Sequence, residues 1–129
     1  MIQISTALND QRLAGVVTFL ALGTPAAVAR LYSGTRPAFG AAPTGTLLVE
    51  IPVQEPIGQV ANGSLAITPT DEALILADGE ATWARVLNGE GSIAWDCDVS
   101  NLAGTGEIRI SSTTLFAGGY TRIISGTLG

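Results

Sequence analysis

The sequence predicts an all-β protein, a jelly-roll-like antiparallel β-sandwich with a short N-terminal α-helix. Three observations favour this fold class. Short runs of β-branched and aromatic residues recur along most of the chain, and turn residues separate them every 8–12 residues or so, as in sandwiches and barrels. The chain contains 16 glycines, which suits so many turns. Only one stretch shows helical periodicity, and 129 residues fit one domain with its own core, residues 1–129.

The helix is predicted over residues 6–22, and strands are predicted over residues 26–129. Leu13, Val16 and Leu20 recur at the three- and four-residue spacing of an apolar helix stripe. Ser5 or Thr6 can cap the start, and Gly23 ends the helix. The stripe either packs on the helix's own sheet or makes the helix an arm that docks on a neighbouring molecule.

The strongest strand signal lies between residues 81 and 99, where Asn88-Gly89 separates two β-favouring runs as in a hairpin. Whether the loop contains two or four residues, the same side chains share a face of the hairpin. The face predicted to be buried is apolar: Ala84, Val86, Ile93, Trp95 and Cys97. The opposite face is predicted to be an exposed, mixed surface suited to protein contact: Trp83, Arg85, Leu87, Ala94, Asp96 and Asp98. On that surface Arg85 is expected to pair with Asp96.

Two further strands are predicted in the first half of the chain, at 28–33 and 45–53. In the second of these, alternation places Leu47, Val49, Ile51 and Val53 on one face, and Pro52 indicates a sheet edge or a bulge. The segment between them, residues 34–44, is rich in glycine, proline and alanine and is predicted to be a long loop of the kind that often carries function. Shorter strands are expected at 58–61, 64–68, 73–76, 106–112, 113–116 and 120–127.

The chain has few charged residues, and acidic residues outnumber basic ones. Charged residues make up 13% of the chain, against roughly 25% in an average soluble domain, and the net charge is −5. Low charge is typical of surfaces that partners cover, so a homo-oligomer or a larger assembly is expected. The six basic residues are scattered arginines, which disfavours nucleic-acid binding. No apolar run approaches the ~20 residues of a membrane helix, and the first residues do not resemble a secretory signal, so the chain is expected to be made in the cytoplasm and to bind no membrane.

No catalytic, cofactor or metal site is expected. The chain has no histidine and no lysine, which removes the usual general bases and the commonest metal ligand. Two readings of Asp96 and Asp98 stay open: a carboxylate pair that cleaves a glycoside, or part of a calcium site. The single cysteine, Cys97, is expected to be a buried hydrophobe.

Several blocks of the sequence together resemble a family of small virion proteins of tailed bacteriophages. In chain order the blocks are LYSGTRPA (31–38), GTLL (45–48), ATWARV (81–86) and STTLFAGG (112–119). The resemblance implies a helix followed by a β-sandwich of jelly-roll type and a capsid decoration, or cement, protein that binds the outside of the major capsid protein shell as an oligomer. That oligomer is expected to be a homodimer or homotrimer. The expected location is therefore the outer surface of the virion.

Contact residues are expected in three places: the N-terminal residues Met1 and Ile2, the loop residues Arg36, Pro37 and Phe39, and the Trp83 and Arg85 face. The alternative within the same kind of particle is a tail, collar or fibre module that binds host-surface glycans by stacking sugars on three aromatic side chains. Those side chains are Tyr32, Trp83 and Tyr120.

Overall fold

A computed structural model describes residues 2–23 and 27–128 of the chain, so Met1 lies outside the described residues. The model confirms a β-rich protein with one short N-terminal helix. The elements, numbered in chain order, are α1 (Thr6–Leu20), β1 (Val28–Tyr32), β2 (Leu47–Pro52), β3 (Gly58–Ala61), β4 (Ser64–Ile67), β5 (Ala73–Leu74), β6 (Gly79–Glu80), β7 (Trp83–Leu87), β8 (Ile93–Ser100), β9 (Ile108–Arg109), β10 (Thr114–Leu115), β11 (Tyr120–Thr121) and β12 (Ser125–Leu128).

Most strands belong to one curled, eight-stranded sheet with the order β2-β1-β7-β8-β9-β12-β4-β3. Two ribbons of two strands each, β6 with β10 and β5 with β11, complete the described β-structure. The strand pairs are antiparallel, as predicted, except that β8 and β9 run parallel. The connection from β8 to β9 passes close to β8 at Gly106, where a Cβ would lie 2.7 Å from the backbone nitrogen of Ser100. A side chain at this position would clash, so the connection requires glycine.

The core follows the alternation of β1 and β2 with one correction. Ala29 and Leu31 of β1 are fully buried, and so are Val49 and Ile51, which the sequence placed on one face of β2. The register between the two strands shifts at Leu31/Tyr32, so Leu48 has no partner in β1 and is also buried. Leu47 therefore leaves the face that simple alternation assigned to it and is only half-buried.

Helix α1 packs on its own domain. Ser5 caps the start, since its hydroxyl accepts a hydrogen bond from the Leu8 N–H at 3.0 Å, and Leu13 and Leu20 of the predicted stripe are buried. The helix ends at Leu20, two residues earlier than predicted. At that end the Leu22 carbonyl accepts a hydrogen bond from the Gly89 N–H at 2.9 Å, which ties the chain to the β7–β8 loop.

The other end of α1 is held by the turn between β3 and β4. The Asn9 amide donates to the Gly63 carbonyl at 2.9 Å, and the Asp10 carboxylate accepts from the Gly63 N–H at 2.7 Å. The helix thus connects the β3–β4 turn with the β7–β8 loop. Within the described part of the chain, α1 is too short to span a membrane.

Candidate docking surfaces

The β7–β8 hairpin has the predicted pairing over most of its length. Ala84 lies opposite Cys97, Arg85 opposite Asp96 and Val86 opposite Trp95. The connecting loop contains five residues, Asn88 to Ser92, rather than two or four. The register accordingly shifts at Val86/Leu87, which brings Ile93 opposite Leu87 and removes it from the face shared by Trp95 and Cys97.

The predicted exposure of Trp83 and Arg85 is wrong. Trp83 is 1% exposed and Arg85 5%, because β7 is a central strand with residues buried on both faces. The Tyr32 ring stacks on Trp83 with centroids 4.6 Å apart and 16° between the ring planes, and the Arg85 guanidinium carbon lies 5.4 Å from the Trp83 ring centre. Neither residue presents a free side chain to a partner.

The predicted pair between Arg85 and Asp96 is present, but it is buried rather than superficial. Arg85 donates from Nε at 2.8 Å and from Nη2 at 3.0 Å, so both oxygens of Asp96 are occupied. The side chains are only 6% and 4% exposed. The hydrogen bonds to Asp96 raise the pKa of Arg85 above its ordinary value. With both oxygens hydrogen-bonded to Arg85, Asp96 is held as an ion-pair partner.

The pair belongs to a row of charges that crosses four strands. Glu50 of β2 lies opposite Arg30 of β1, Arg30 lies opposite Arg85 of β7, and Arg85 lies opposite Asp96 of β8. Arg30 Nε is 3.5 Å from a Glu50 carboxylate oxygen. Arg30 and Arg85 are therefore next to each other, and each has a carboxylate on its other side. These two carboxylates offset the repulsion between the two guanidinium groups.

The predicted contact loop lies over β8 and presents one aromatic side chain. Arg36 Nη1 is 3.5 Å from a carboxylate oxygen of Asp98, and Phe39 is 67% exposed. Together with Pro37 and Asp96, these loop residues line a cavity of about 330 Å³. The base of the loop is closed by Gly45, where a Cβ would lie only 1.8 Å from the Ser33 carbonyl oxygen. The loop is thus anchored at its base and exposed at Phe39.

The N-terminal contact residues are only partly described. Ile2 is 89% exposed and Ile4 is 42% exposed, whereas Met1 is outside the described residues. These side chains precede the N-cap of α1. Because Trp83 and Arg85 are buried, the three predicted contact regions do not form one exposed surface.

Four exposed apolar side chains form a group that the sequence did not predict as a group. We call it the docking patch: Leu74 (49% exposed), Leu76 (55%), Phe116 (67%) and Tyr120 (65%). Leu74 lies opposite Tyr120 in the β5–β11 ribbon, and Phe116 and Tyr120 line one cavity of about 200 Å³. The run Ala73-Leu74-Ile75-Leu76-Ala77 gave no alternation from which a face could be assigned, and only the Gly118-Gly119 turn between Phe116 and Tyr120 hinted that the two aromatic rings come together.

Carboxylates border the docking patch. Every charged residue between positions 71 and 80 is acidic: Asp71, Glu72, Asp78 and Glu80. The Asp78 carboxylate accepts from the Ala117 N–H at 2.7 Å, and the Glu80 carboxylate accepts from the hydroxyls of Thr113 and Thr114. These hydroxyl hydrogen bonds lower the pKa of Glu80 below its ordinary value. Arg122 adds one positive charge beside β11, so these residues together remain net negative.

A polar cleft of about 420 Å³ lies on another side of the Glu80 segment. Its polar side chains are contributed by Glu80, Thr82, Asp98, Ser100, Asn101, Thr105 and Thr113. Among the described residues, no group of three or more histidine, cysteine, aspartate or glutamate side chains is arranged to hold a metal ion. Nearby, burial raises the pKa of the Cys97 thiol to about 12, so this cysteine stays protonated and unreactive near neutral pH.

Comparison of the chain with known protein families, with curated proteins and with solved structures finds no significant match.

Proposed function

We propose that this protein is a non-enzymatic structural component of a tailed-bacteriophage particle, a capsid decoration protein that binds the outer surface of the major capsid protein shell and stabilises it. The docking patch is the observation that carries the proposal. It includes two aromatic and two leucine side chains, all about half-exposed or more, of which Leu74 and Tyr120 lie opposite each other in the β5–β11 ribbon. Monomeric soluble proteins rarely expose large contiguous apolar groups unless a partner covers them.

The composition of the patch suits a protein partner. Aromatic side chains that enter a pocket on the partner supply much of the binding energy in protein interfaces, and Phe116 and Tyr120 are available for this role. The acidic border complements a partner surface on which arginine or lysine residues surround an apolar centre. We therefore assign the patch as the primary contact with the shell.

The exposed Phe39 loop offers a second contact. Its ring is 67% exposed on a loop whose base is tightly closed, so binding would order few additional residues. A decoration protein binds a repeating surface in many copies, and each copy can make several weak contacts. Because the contacts of one copy are linked, their combined binding is stronger than that of any single contact. Two separate apolar contacts on one chain fit this mode of binding.

The fold proposed for this role is a jelly-roll-like sandwich. The curled eight-stranded sheet and the two short ribbons would form its layers, with the apolar side chains of β1, β2 and β7 between them. A sandwich satisfies its backbone hydrogen bonds internally and leaves its loops and ribbons free for contact. The location on the shell surface follows from the same proposal.

The glycan-binding alternative is less well supported. It needs Tyr32, Trp83 and Tyr120 on one accessible surface, yet Tyr32 is 6% exposed and Trp83 is 1% exposed. Of the three rings, only Tyr120 is free to stack on a sugar.

The proposal is tested with empty shells assembled from the major capsid protein of the phage that encodes this chain. The wild-type chain is expected to co-sediment with the shells and to raise their disruption temperature. The double variant Phe116→Ser/Tyr120→Ser should lose most of this binding, because it removes both aromatic anchors. Leu102→Ser is the matched control, since Leu102 is 50% exposed but lies outside the patch.

Two outcomes would contradict the proposal. One is a wild-type chain that stays in the supernatant at every shell concentration. The other is a double variant that co-sediments as well as Leu102→Ser does.

A further inference from the structure

Two aromatic residues of the docking patch line a small cavity with room for one side chain. The cavity measures about 200 Å³, below the roughly 300–1,000 Å³ of small-molecule sites. Phe116 and Tyr120, which line it, are 67% and 65% exposed. Ile75 and Leu115 also line it, and both are buried members of the core. The cavity is thus lined by exposed rings on the patch and by residues of the core.

The lining of this cavity is also polar. Four of its nine residues carry a hydroxyl group on an aliphatic side chain: Ser111, Ser112, Thr114 and Thr121. Thr121 is 6% exposed, and its hydroxyl has no hydrogen-bond partner among the residues that the structure describes. Covering hydroxyl groups without giving them a hydrogen bond costs free energy. An occupant of the cavity should therefore carry hydrogen-bonding groups as well as apolar surface.

Two carboxylates lie beside the cavity. Asp78 accepts from the N–H of Ala117, the residue after Phe116, at 2.7 Å. Glu80 accepts from the hydroxyl of Thr114, which itself lines the cavity, at 2.9 Å. Both acidic residues are exposed. Negative charge is thus held next to the aromatic rings and within reach of a partner.

These carboxylates have no cationic partner within the described part of the chain. None of the ion pairs there includes Asp78 or Glu80. Arg122 is the basic residue nearest to Tyr120 in the sequence, and it does not line the cavity. The face of an aromatic ring also carries negative partial charge and attracts cations. Rings and carboxylates together favour a positively charged occupant.

Arginine fits this combination better than lysine does. The planar guanidinium group stacks on aromatic faces and has five N–H donors, so it can contact rings, hydroxyls and carboxylates at once. The ammonium group of lysine is a compact, strongly hydrated charge with three donors. A second copy of this chain is a poor source of the arginine, because each copy carries a net charge of −5 and has the same acidic border.

We propose that the cavity receives an arginine side chain of the partner protein. Its guanidinium group stacks on the Phe116 and Tyr120 rings and extends toward Asp78 and Glu80. The two rings then act both as apolar anchors and as walls of the arginine site. This inference deepens the proposed function and rests on it only for the identity of the partner, the major capsid protein.

A nuclear magnetic resonance titration of the isotope-labelled chain tests the site without shells. The ligands are N-acetyl-arginine amide and N-acetyl-citrulline amide, a neutral analogue of nearly the same shape, at equal ionic strength. The arginine derivative should give saturable shifts in the backbone amide signals of Phe116, Ala117 and Tyr120. It should bind about tenfold more tightly than the citrulline derivative. Equal binding of the two ligands, or no saturable shift with the arginine derivative, would overturn the proposal.

The double variant Asp78→Asn/Glu80→Gln tests the part played by charge in the same titration. The amide oxygens of the replacement side chains still accept hydrogen bonds, so the variant removes two charges and keeps the contacts to Ala117 and Thr114. Binding of the arginine derivative should weaken about fivefold, and binding of the citrulline derivative should stay the same.

The matched control is the double variant Glu55→Gln/Glu90→Gln. It changes the net charge by the same amount, and both residues are exposed and do not line the cavity. The control should bind the arginine derivative as the wild type does. Equal affinity of the two double variants for the arginine derivative would refute the proposed site.

The two proposals fail separately. A chain that binds the arginine derivative at the cavity but stays in the supernatant with shells would refute only the capsid function. A chain that co-sediments with shells through Phe116 and Tyr120, but binds the arginine and citrulline derivatives equally, would refute only the arginine site.

Discussion

The β7–β8 hairpin and the docking patch differ in how well their sequences indicate which side chains are exposed. The hairpin carries Trp83 and Arg85 on a face whose alternation with charged residues is typical of an exposed surface, yet both are buried. The patch lies on and beside the two-residue strands β5 and β11, whose sequences show no clear alternation, yet Phe116 and Tyr120 are among the most exposed apolar side chains described.

The difference comes from the position of each strand in the sheet. Strand β7 is central in the eight-stranded sheet, and Tyr32 covers Trp83 from the neighbouring strand. Strands β5 and β11 form a ribbon outside that sheet, so one face of the ribbon has nothing to pack against among the described residues. Aromatic and charged residues therefore stabilise the fold in one region and remain available for binding in the other.

Replacing one aromatic residue by alanine in each region should give the largest difference in the free energy of unfolding. Trp83→Ala removes a ring that is 1% exposed and stacked on Tyr32, so we expect a loss of about 4–5 kcal/mol in the free energy of unfolding. Tyr120→Ala, at 65% exposure, should change it by less than about 0.5 kcal/mol. Urea unfolding measures both. Similar losses for the two variants would mean that the regions do not differ as described.

The buried ion pair of Arg85 with Asp96 should contribute more to the free energy of unfolding than the exposed pair of Arg36 with Asp98. This difference should be smaller than the difference between the two aromatic residues. Asp96→Ala leaves the buried Arg85 guanidinium without its partner, and we expect a loss of about 3 kcal/mol. Asp98→Ala breaks the pair with Arg36, whose side chains are 42% and 63% exposed, and should have an effect of about 1 kcal/mol or less. The same unfolding experiment compares them, and a larger loss for Asp98→Ala would contradict the burial of the Arg85 pair.

The smallest effect is expected at Glu80, beside the docking patch. Hydrogen bonds from Thr113 and Thr114 lower its folded pKa below the ordinary 4.5, so the unfolded chain binds its proton first as the pH falls. The stabilisation from Glu80 is thus complete above the unfolded pKa and is lost as the pH falls through the lowered folded pKa. Melting temperatures between about pH 2 and pH 7 should show the wild type above Glu80→Gln near neutrality and the two converging in acid.

The control for this measurement is Glu72→Gln, because Glu72 is an exposed carboxylate in the same acidic segment. A difference between wild type and Glu80→Gln that stays constant over the whole pH range would show that the hydroxyl contacts do not act through the charge of Glu80.

Pattern reasoning succeeded where a segment had a strong local signal. The cap at Ser5, the stripe of Leu13 and Leu20, the shared face of Val49 and Ile51 and the pairing of Arg85 with Asp96 were all predictable. It failed at the register shift near Leu48, at the five-residue hairpin loop and at the parallel pairing of β9. Each failure depends on one inserted residue or on a contact between distant segments, for which a periodic pattern holds no information.

The sequence by itself determined the β-rich class, the single helix, the low charge and the pairing of Arg85 with Asp96, because neighbouring residues decide these properties. Only the tertiary structure decided which faces are covered: it buried Trp83 and Arg85 and left Leu74, Phe116 and Tyr120 exposed. Burial depends on what packs above a strand and on its place in the sheet, and both are set by segments far away along the chain.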